Sequence, residues 1–178
     1  MIFMDKSGFV LVGIISSLMH EVGHIIAVKA KKCNIDSIKL GCVNADIFLN
    51  CGNLTDKIII LFSGSVMNFF IAVIFKIMCN MCCDFNIFNT IYLQNLCIGI
   101  LNLLPISTLD GGCILLSLLN KKIDSLIALR VSNIVSFIFL VPLFCIGMWI
   151  LVTSEYNFSL MLLVIYLISC IFLKKNMF

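Results

Sequence analysis

The chain has 178 residues, of which 62% are hydrophobic and only 12% are charged. Its mean hydropathy is +1.17. A soluble domain of this length cannot bury so much apolar surface, so the composition indicates a membrane protein with several spans. The net charge is +3, and the lysines lie beside the apolar segments rather than along one stripe, which argues against a nucleic-acid partner. We therefore expect an all-α fold in a lipid bilayer.

About five apolar segments are predicted to cross the membrane. They cover residues 8–28, 58–78, 87–119, 131–152 and 158–173. The third is too long for one plain helix. Because Pro105 lacks a backbone donor and Gly111-Gly112 loosens the chain, we expect this span to break around Pro105–Gly112. After the first span, partial two-residue alternation in Ile38–Leu40 and Asp46–Leu49 predicts a small β-hairpin at the membrane surface.

The basic residues between the spans predict the orientation of the chain. The successive connections and the C-terminal tail carry five, none, three, none and two lysines or arginines. This alternation is typical of a protein whose lysine-rich connections lie in the cytoplasm. We therefore expect the N-terminus outside and the C-terminus inside the cell.

The first apolar segment contains the pattern His20-Glu21-Val22-Gly23-His24. Residues four apart lie on one face of an α-helix, so both imidazoles can reach the same metal ion. Glu21 lies beside them as a general base, and the pattern is typical of zinc hydrolases. The chain has no other histidine. The alternative is a pair of polar helix positions buried by neighbours, which is costly inside a membrane without a metal or a partner.

Three polar residues of different spans are expected at one depth: His20, Asn68 and Asp110. Each lies nine to eleven residues from a lysine at the cytoplasmic boundary, or about 14–17 Å along a straight helix. Asp110 is then the natural third ligand, since a carboxylate completes two imidazoles and leaves a position for water. Capping the helix after the Pro105 break is its alternative role. Asn68 and Asn102 could donate to a tetrahedral oxyanion, hold a substrate strand, or join helices by hydrogen bonds.

Three segments of the sequence together resemble the site-2 protease family of intramembrane zinc proteases. They are HEVGH over 20–24, SGSVMN over 63–68 and NLLPISTLDGG over 102–112. The last is especially close to the branch that includes stage IV sporulation protein FB, whose members cleave a sigma-factor precursor during spore formation. The resemblance implies that His20, His24 and Asp110 bind one Zn²⁺ per chain and that Glu21 is the catalytic glutamate.

The resemblance also points to substrate-binding residues. Asn102 and Pro105 match an N-x-x-P-x-x-x-L-D-G motif, and Asn68 matches the last residue of a G-P-x-x-N motif in which Ser65 replaces proline. We expect Asn68, Asn102 and Pro105 to contact the substrate. The sporulation branch typically has a further span before the catalytic one and a soluble nucleotide-sensing CBS domain after the last, and we expect neither here.

Residues 1–178 are thus expected to form one membrane-embedded metalloprotease domain, with a catalytic core over about 8–120 and accessory spans over about 131–173. The expected partners are the lipid bilayer, a membrane-associated protein substrate and an inhibitory membrane protein, in the cell membrane of a bacterium. The alternatives are a transporter and a non-proteolytic metal-binding membrane protein. Five spans without a repeat fit poorly with a repeat-built carrier, and metal binding alone does not need Glu21.

Overall fold

The computed structural model describes residues 9–32, 34–40, 45–50, 53–81, 85–153 and 159–175. Within these ranges the chain forms six helices and two strands. In chain order they are α1 (Phe9–Lys31), β1 (Asn34–Leu40), β2 (Ala45–Asn50), α2 (Leu54–Met81), α3 (Phe85–Asn102), α4 (Asp110–Asn120), α5 (Ser125–Thr153) and α6 (Ser159–Lys175). The two strands form a two-stranded sheet. The predicted β-hairpin includes residues 41–44, which lie outside the described residues, and it is not confirmed.

Among the described residues, three helices are long and apolar enough to cross a membrane: α1, α2 and α5. They cover the first, second and fourth predicted spans. The third predicted span is divided into two helices, because α3 ends at Asn102 and the short apolar helix α4 begins at Asp110. Helix α6 covers the fifth predicted span. The predicted count of about five transmembrane helices is therefore not confirmed.

The helices expose apolar side chains and bury polar ones, which is the reverse of a water-soluble protein. Leu11 and Trp149 are 61% and 69% exposed, whereas Ser16 and Asn95 are 2% and 1% exposed. Extensive exposed apolar surface must be covered by lipid or by a partner, and buried polar groups need partners inside the protein. Together with the three long apolar helices, this distribution indicates an integral membrane protein.

The chain is divided into two compact units. Unit 1 comprises Met1–Asn34 and Leu49–Leu103, and unit 2 comprises Ile35–Phe48 and Leu104–Phe178. Within unit 1, α1, α2 and α3 all pack against one another. Within unit 2, α5 packs against both α4 and α6.

A close approach between α1 and α2 organises unit 1. A Cβ atom at Gly23 would lie 2.8 Å from the carbonyl oxygen of Ser63 and 3.1 Å from Gly64 Cα. Only glycine therefore lets the two backbones meet here, as small residues do at contacts between membrane helices. Near the ends of the same helices, Lys31 Nζ lies 2.8 Å from a carboxylate oxygen of Asp56. This ion pair joins the end of α1 to the start of α2.

An apolar core holds unit 2 together and anchors the irregular segment before α4. The core residues are Ile106, Leu140, Val164, Leu167 and Ile171. Ile106 belongs to the irregular segment, and the backbone N–H of the next residue, Ser107, donates to Ser136 Oγ at 2.8 Å. The predicted break is present, but it covers residues 103–109. Its predicted extension to Gly112 is wrong, because both glycines already belong to α4.

Candidate metal centre

The two histidines lie on the buried face of α1. His20 is 5% exposed and His24 is 8% exposed, and their Nε2 atoms are 3.2 Å apart. A spacing of four residues places them one helical turn apart on one face. Two ring nitrogens that converge in this way form the first part of a metal-binding donor set.

His24 is oriented by a backbone carbonyl of α2. Its Nδ1 atom lies 2.8 Å from the carbonyl oxygen of Ile60. Because a carbonyl only accepts, Nδ1 carries the proton and donates, which leaves a lone pair on Nε2. Histidines that bind metals are commonly fixed through their second nitrogen in this way. His24 is therefore preorganised to bind a metal ion through Nε2.

Asn68 of α2 lies against the other histidine. Its amide nitrogen Nδ2 is 3.4 Å from His20 Nδ1, and the residue has no exposed surface. Its amide oxygen Oδ1 is buried as well and has no hydrogen-bond partner within the described residues. The structure thus brings Asn68 together with His20 and His24, three of the residues singled out in the sequence.

Gly64 keeps the space beside the two Nε2 atoms open. A Cβ at this position would lie 2.5 Å from His24 Nε2 and 2.7 Å from His20 Nε2. Zinc binds imidazole nitrogen at about 2.0–2.1 Å, so a shared ion needs room beside both atoms, and any larger residue would fill that room. Two imidazoles with converging Nε2 atoms fit zinc in their chemistry and in their setting.

Glu21 follows His20 in α1 and is exposed, unlike the two histidines. A carboxylate next to a metal centre can accept a proton from water held there. The described part of unit 1 does not enclose Glu21, and its role as general base stays a prediction.

Asp110 is the first residue of α4, in unit 2. The N-cap position belongs to Leu109, and no side-chain cap hydrogen bond forms there. Asp110 therefore does not have the alternative role of capping residue. Its carboxylate lies in the first turn of α4, where a negative charge interacts favourably with the helix dipole. Gly112 lets the start of α4 lie against the preceding segment, because a Cβ there would collide with the backbone of Ile106 and Ser107.

Asn102 and Pro105 flank the point where the two units are joined in sequence. Asn102 is the last residue of α3, and Pro105 lies three residues later in the irregular segment. Both are half-buried. Their expected contact with a substrate strand stays a prediction.

Some contributors to this site were missed in the sequence. Gly64 belongs to the SGSVMN segment, and a small residue in a span is a usable signal for close packing. Gly23 lies within the HEVGH pattern itself and gives the same signal. The Ile60 carbonyl has no signal of its own, because every residue carries a carbonyl group.

The fold and the site define a helical membrane protein with a candidate metal centre. Residues 83–146 match the model of Peptidase family M50, a range that includes the NLLPISTLDGG segment. Among solved structures, the chain is similar to the site-2 protease from Methanocaldococcus jannaschii, with a TM-score of 0.67 and 22% sequence identity. That likeness covers 88% of this chain and 72% of the other, and at this identity it concerns the fold.

No curated protein matches the sequence significantly. The family match supports a metalloprotease, and the structural likeness supports a fold shared with an intramembrane protease. The stage IV sporulation protein FB branch, predicted from the NLLPISTLDGG segment, is not confirmed by them.

Proposed function

We propose that this chain is an intramembrane zinc metalloprotease that hydrolyses a peptide bond of a membrane-associated protein within or near the bilayer. The observation that carries the proposal is the convergence of the His20 and His24 Nε2 atoms beside Gly64. The match to Peptidase family M50, whose proteases are zinc-dependent in general, supports it. The fold shared with a site-2 protease is consistent with it.

Zinc would be held by His20, His24 and Asp110, with one ion per chain. The resemblance of the HEVGH and NLLPISTLDGG segments to the site-2 protease motifs supports this assignment. Two imidazoles and one carboxylate are a known donor set of catalytic zinc sites and leave a fourth position for water. A non-proteolytic metal-binding protein would need the same ligands, but it would have no use for Glu21.

Bound zinc supplies Lewis acidity, which lowers the pKa of a coordinated water and polarises a carbonyl group. The side chains of the protein supply the other functions. Glu21 accepts a proton from the attacking water and later delivers it to the leaving amine. His24 keeps its orientation through its hydrogen bond to the Ile60 carbonyl. A substrate helix must unwind first, because its peptide carbonyls are engaged internally, and we assign Asn102 and Pro105 to holding the unwound strand.

The substrate is proposed to be a regulatory protein associated with the same membrane. The NLLPISTLDGG segment favours a sporulation sigma-factor precursor, by its resemblance to the branch that cleaves one. The lysine distribution favours a C-terminus in the cytoplasm, and the resemblance to the sporulation branch favours a bacterial cell membrane. An inhibitory membrane protein is the partner expected of a protease that must act only at a given time.

Cleavage of a panel of membrane-tethered substrates by the detergent-purified protein tests this function. Cleavage should stop when a chelator removes the metal and return when zinc is restored, and His24→Ala should abolish it by removing a ligand. The matched control is Gly13→Ala in the same helix, because among the described residues a Cβ there meets only Gln94 Oε1, at an ordinary 3.6 Å. Cleavage that continues at the parent rate in protein freed of metal would contradict the proposal.

A further inference from the structure

A continuous series of polar contacts joins Asn68 to both histidines. Asn68 Nδ2 is 3.4 Å from His20 Nδ1, and His20 Nε2 is 3.2 Å from His24 Nε2. At the far end, His24 Nδ1 donates to the Ile60 carbonyl at 2.8 Å, so His24 presents an acceptor at Nε2. Among these four groups, the contacts are satisfied when His20 donates from Nε2 to His24 and Asn68 donates from Nδ2 to His20 Nδ1.

Metal binding through His20 Nε2 requires the opposite tautomer. A neutral imidazole that presents the lone pair of Nε2 carries its proton on Nδ1. Asn68 Nδ2 would then face Nδ1–H, and two donors would meet. The acceptor of the same amide is Oδ1, which is buried and lacks a hydrogen-bond partner within the described part of the chain. Leaving such a buried acceptor without a hydrogen bond destabilises the folded protein.

We propose that Asn68 is a positioning residue whose amide serves His20 in both tautomers, through a half-turn about its Cβ–Cγ bond. With Nδ2 towards the ring, Asn68 donates to Nδ1. With Oδ1 towards the ring, it accepts from Nδ1–H and fixes Nε2 as the metal donor. The two ends of a carboxamide have nearly the same shape, so its enclosed site accommodates either orientation. This inference rests on the proposed zinc site, and it assigns Asn68 to ligand orientation instead of substrate contact.

Asn95 is a second buried asparagine of unit 1, and its contacts are those of a residue that only joins helices. It is 1% exposed, and its Nδ2 atom donates to Ser16 Oγ and to the Ile91 carbonyl, both at 2.9 Å. Its Oδ1 atom is also buried without a partner among the described residues. The two asparagines therefore share burial and an unsatisfied oxygen. They differ in that Asn68 lies against a ring nitrogen of a candidate metal ligand, whereas Asn95 contacts a serine and a backbone carbonyl.

Two substitutions at position 68 separate positioning from packing. Asn68→Asp keeps the shape but offers acceptors only, so it should hold the Nδ1–H tautomer of His20 even without metal and bind zinc at least as tightly as the parent. Asn68→Leu keeps the branched skeleton of the side chain, with slightly larger terminal groups, and removes both polar groups. Loss of an outer partner of a metal-binding histidine typically costs 10–100-fold in affinity, so we expect a loss of about that size. The matched control, Asn95→Leu, should leave zinc affinity unchanged.

The measurements are zinc affinity, by competition with a chromophoric chelator, and the ¹⁵N chemical shifts of the imidazole nitrogens, which distinguish the tautomers. The chain has two histidines, so a spectrum of His24→Ala assigns both. In metal-free protein, His20 should carry its proton on Nε2 in the parent and on Nδ1 in Asn68→Asp. If Asn68→Leu does not fold, the tautomer in Asn68→Asp decides.

The outcomes separate this inference from the proposed function. A parent that binds zinc, with the same affinity in Asn68→Leu and the same metal-free His20 tautomer in Asn68→Asp, would overturn the role of Asn68 and leave the zinc site standing. A folded parent that binds no zinc would overturn the proposed function itself, and this inference with it.

Discussion

Replacing Gly64 by alanine tests whether the space beside the histidines makes the site. The added Cβ would lie 2.5 Å from His24 Nε2, whereas ordinary van der Waals contact begins at 3.4 Å. The His24 ring must therefore retreat by about 0.9 Å, which exceeds the roughly 0.5 Å within which catalytic groups must be held. Because a misplacement of about 1 Å can cost on the order of 100-fold in rate, we expect Gly64→Ala to lose about that factor in cleavage and to bind zinc more weakly.

Zinc competition and substrate cleavage, measured on the same detergent-purified samples, check this expectation. In a helix interior alanine is about 1 kcal/mol more favourable than glycine. Helix propensity would therefore stabilise Gly64→Ala, and it cannot cause the predicted loss of zinc binding and cleavage. Gly13→Ala, whose Cβ would meet Gln94 Oε1 at an ordinary 3.6 Å, controls for a general effect of alanine in these helices. A folded Gly64→Ala protein with the zinc affinity and cleavage rate of the parent would refute the reasoning.

Three other substitutions test the support of the site. Asp110→Asn should weaken zinc binding sharply, because a neutral amide is a poorer ligand than a carboxylate; full zinc occupancy in a competition assay would remove Asp110 from the donor set. Ser136→Ala removes the acceptor of the buried Ser107 N–H and should lower the free energy of unfolding in detergent by about 1–3 kcal/mol, a loss that a chemical denaturation series would detect or exclude. Gly23→Ala should lower the thermal midpoint more than Gly13→Ala does, because its Cβ would meet backbone atoms of α2 that cannot rotate away; equal midpoints would argue against the close approach.

The features that were predictable from the sequence are those set by the local geometry of a helix. A spacing of four residues places His20 and His24 on one face in any α-helix. Pro105 predicted the break in the third apolar segment by the donor it lacks. The extent of the break was wrong, because Gly111-Gly112 was interpreted as loosening the chain. Gly112 instead allows the start of α4 to pack closely against Ile106.

The features that could not be predicted depend on how the helices pack. The predicted depth of Asn68 in the membrane is similar to that of His20. The contact between the Asn68 amide and the His20 ring depends, however, on how α1 and α2 cross at Gly23 and Gly64. The hydrogen bond from His24 to the Ile60 carbonyl depends on the same crossing. Backbone partners of this kind have no residue-specific pattern, so sequence motifs identify the ligands and omit the groups that orient them.

The central claim is tested most directly by comparing the zinc content and the peptide cleavage of the parent and of Glu21→Gln, prepared side by side. The parent should hold about one zinc ion per chain, as a single three-ligand site implies, and should cleave a membrane-tethered substrate. Glu21→Gln should hold the same amount of zinc and show no cleavage, because an amide cannot accept the proton of the attacking water. Equal cleavage rates in the two proteins, or a parent without zinc, would contradict the account.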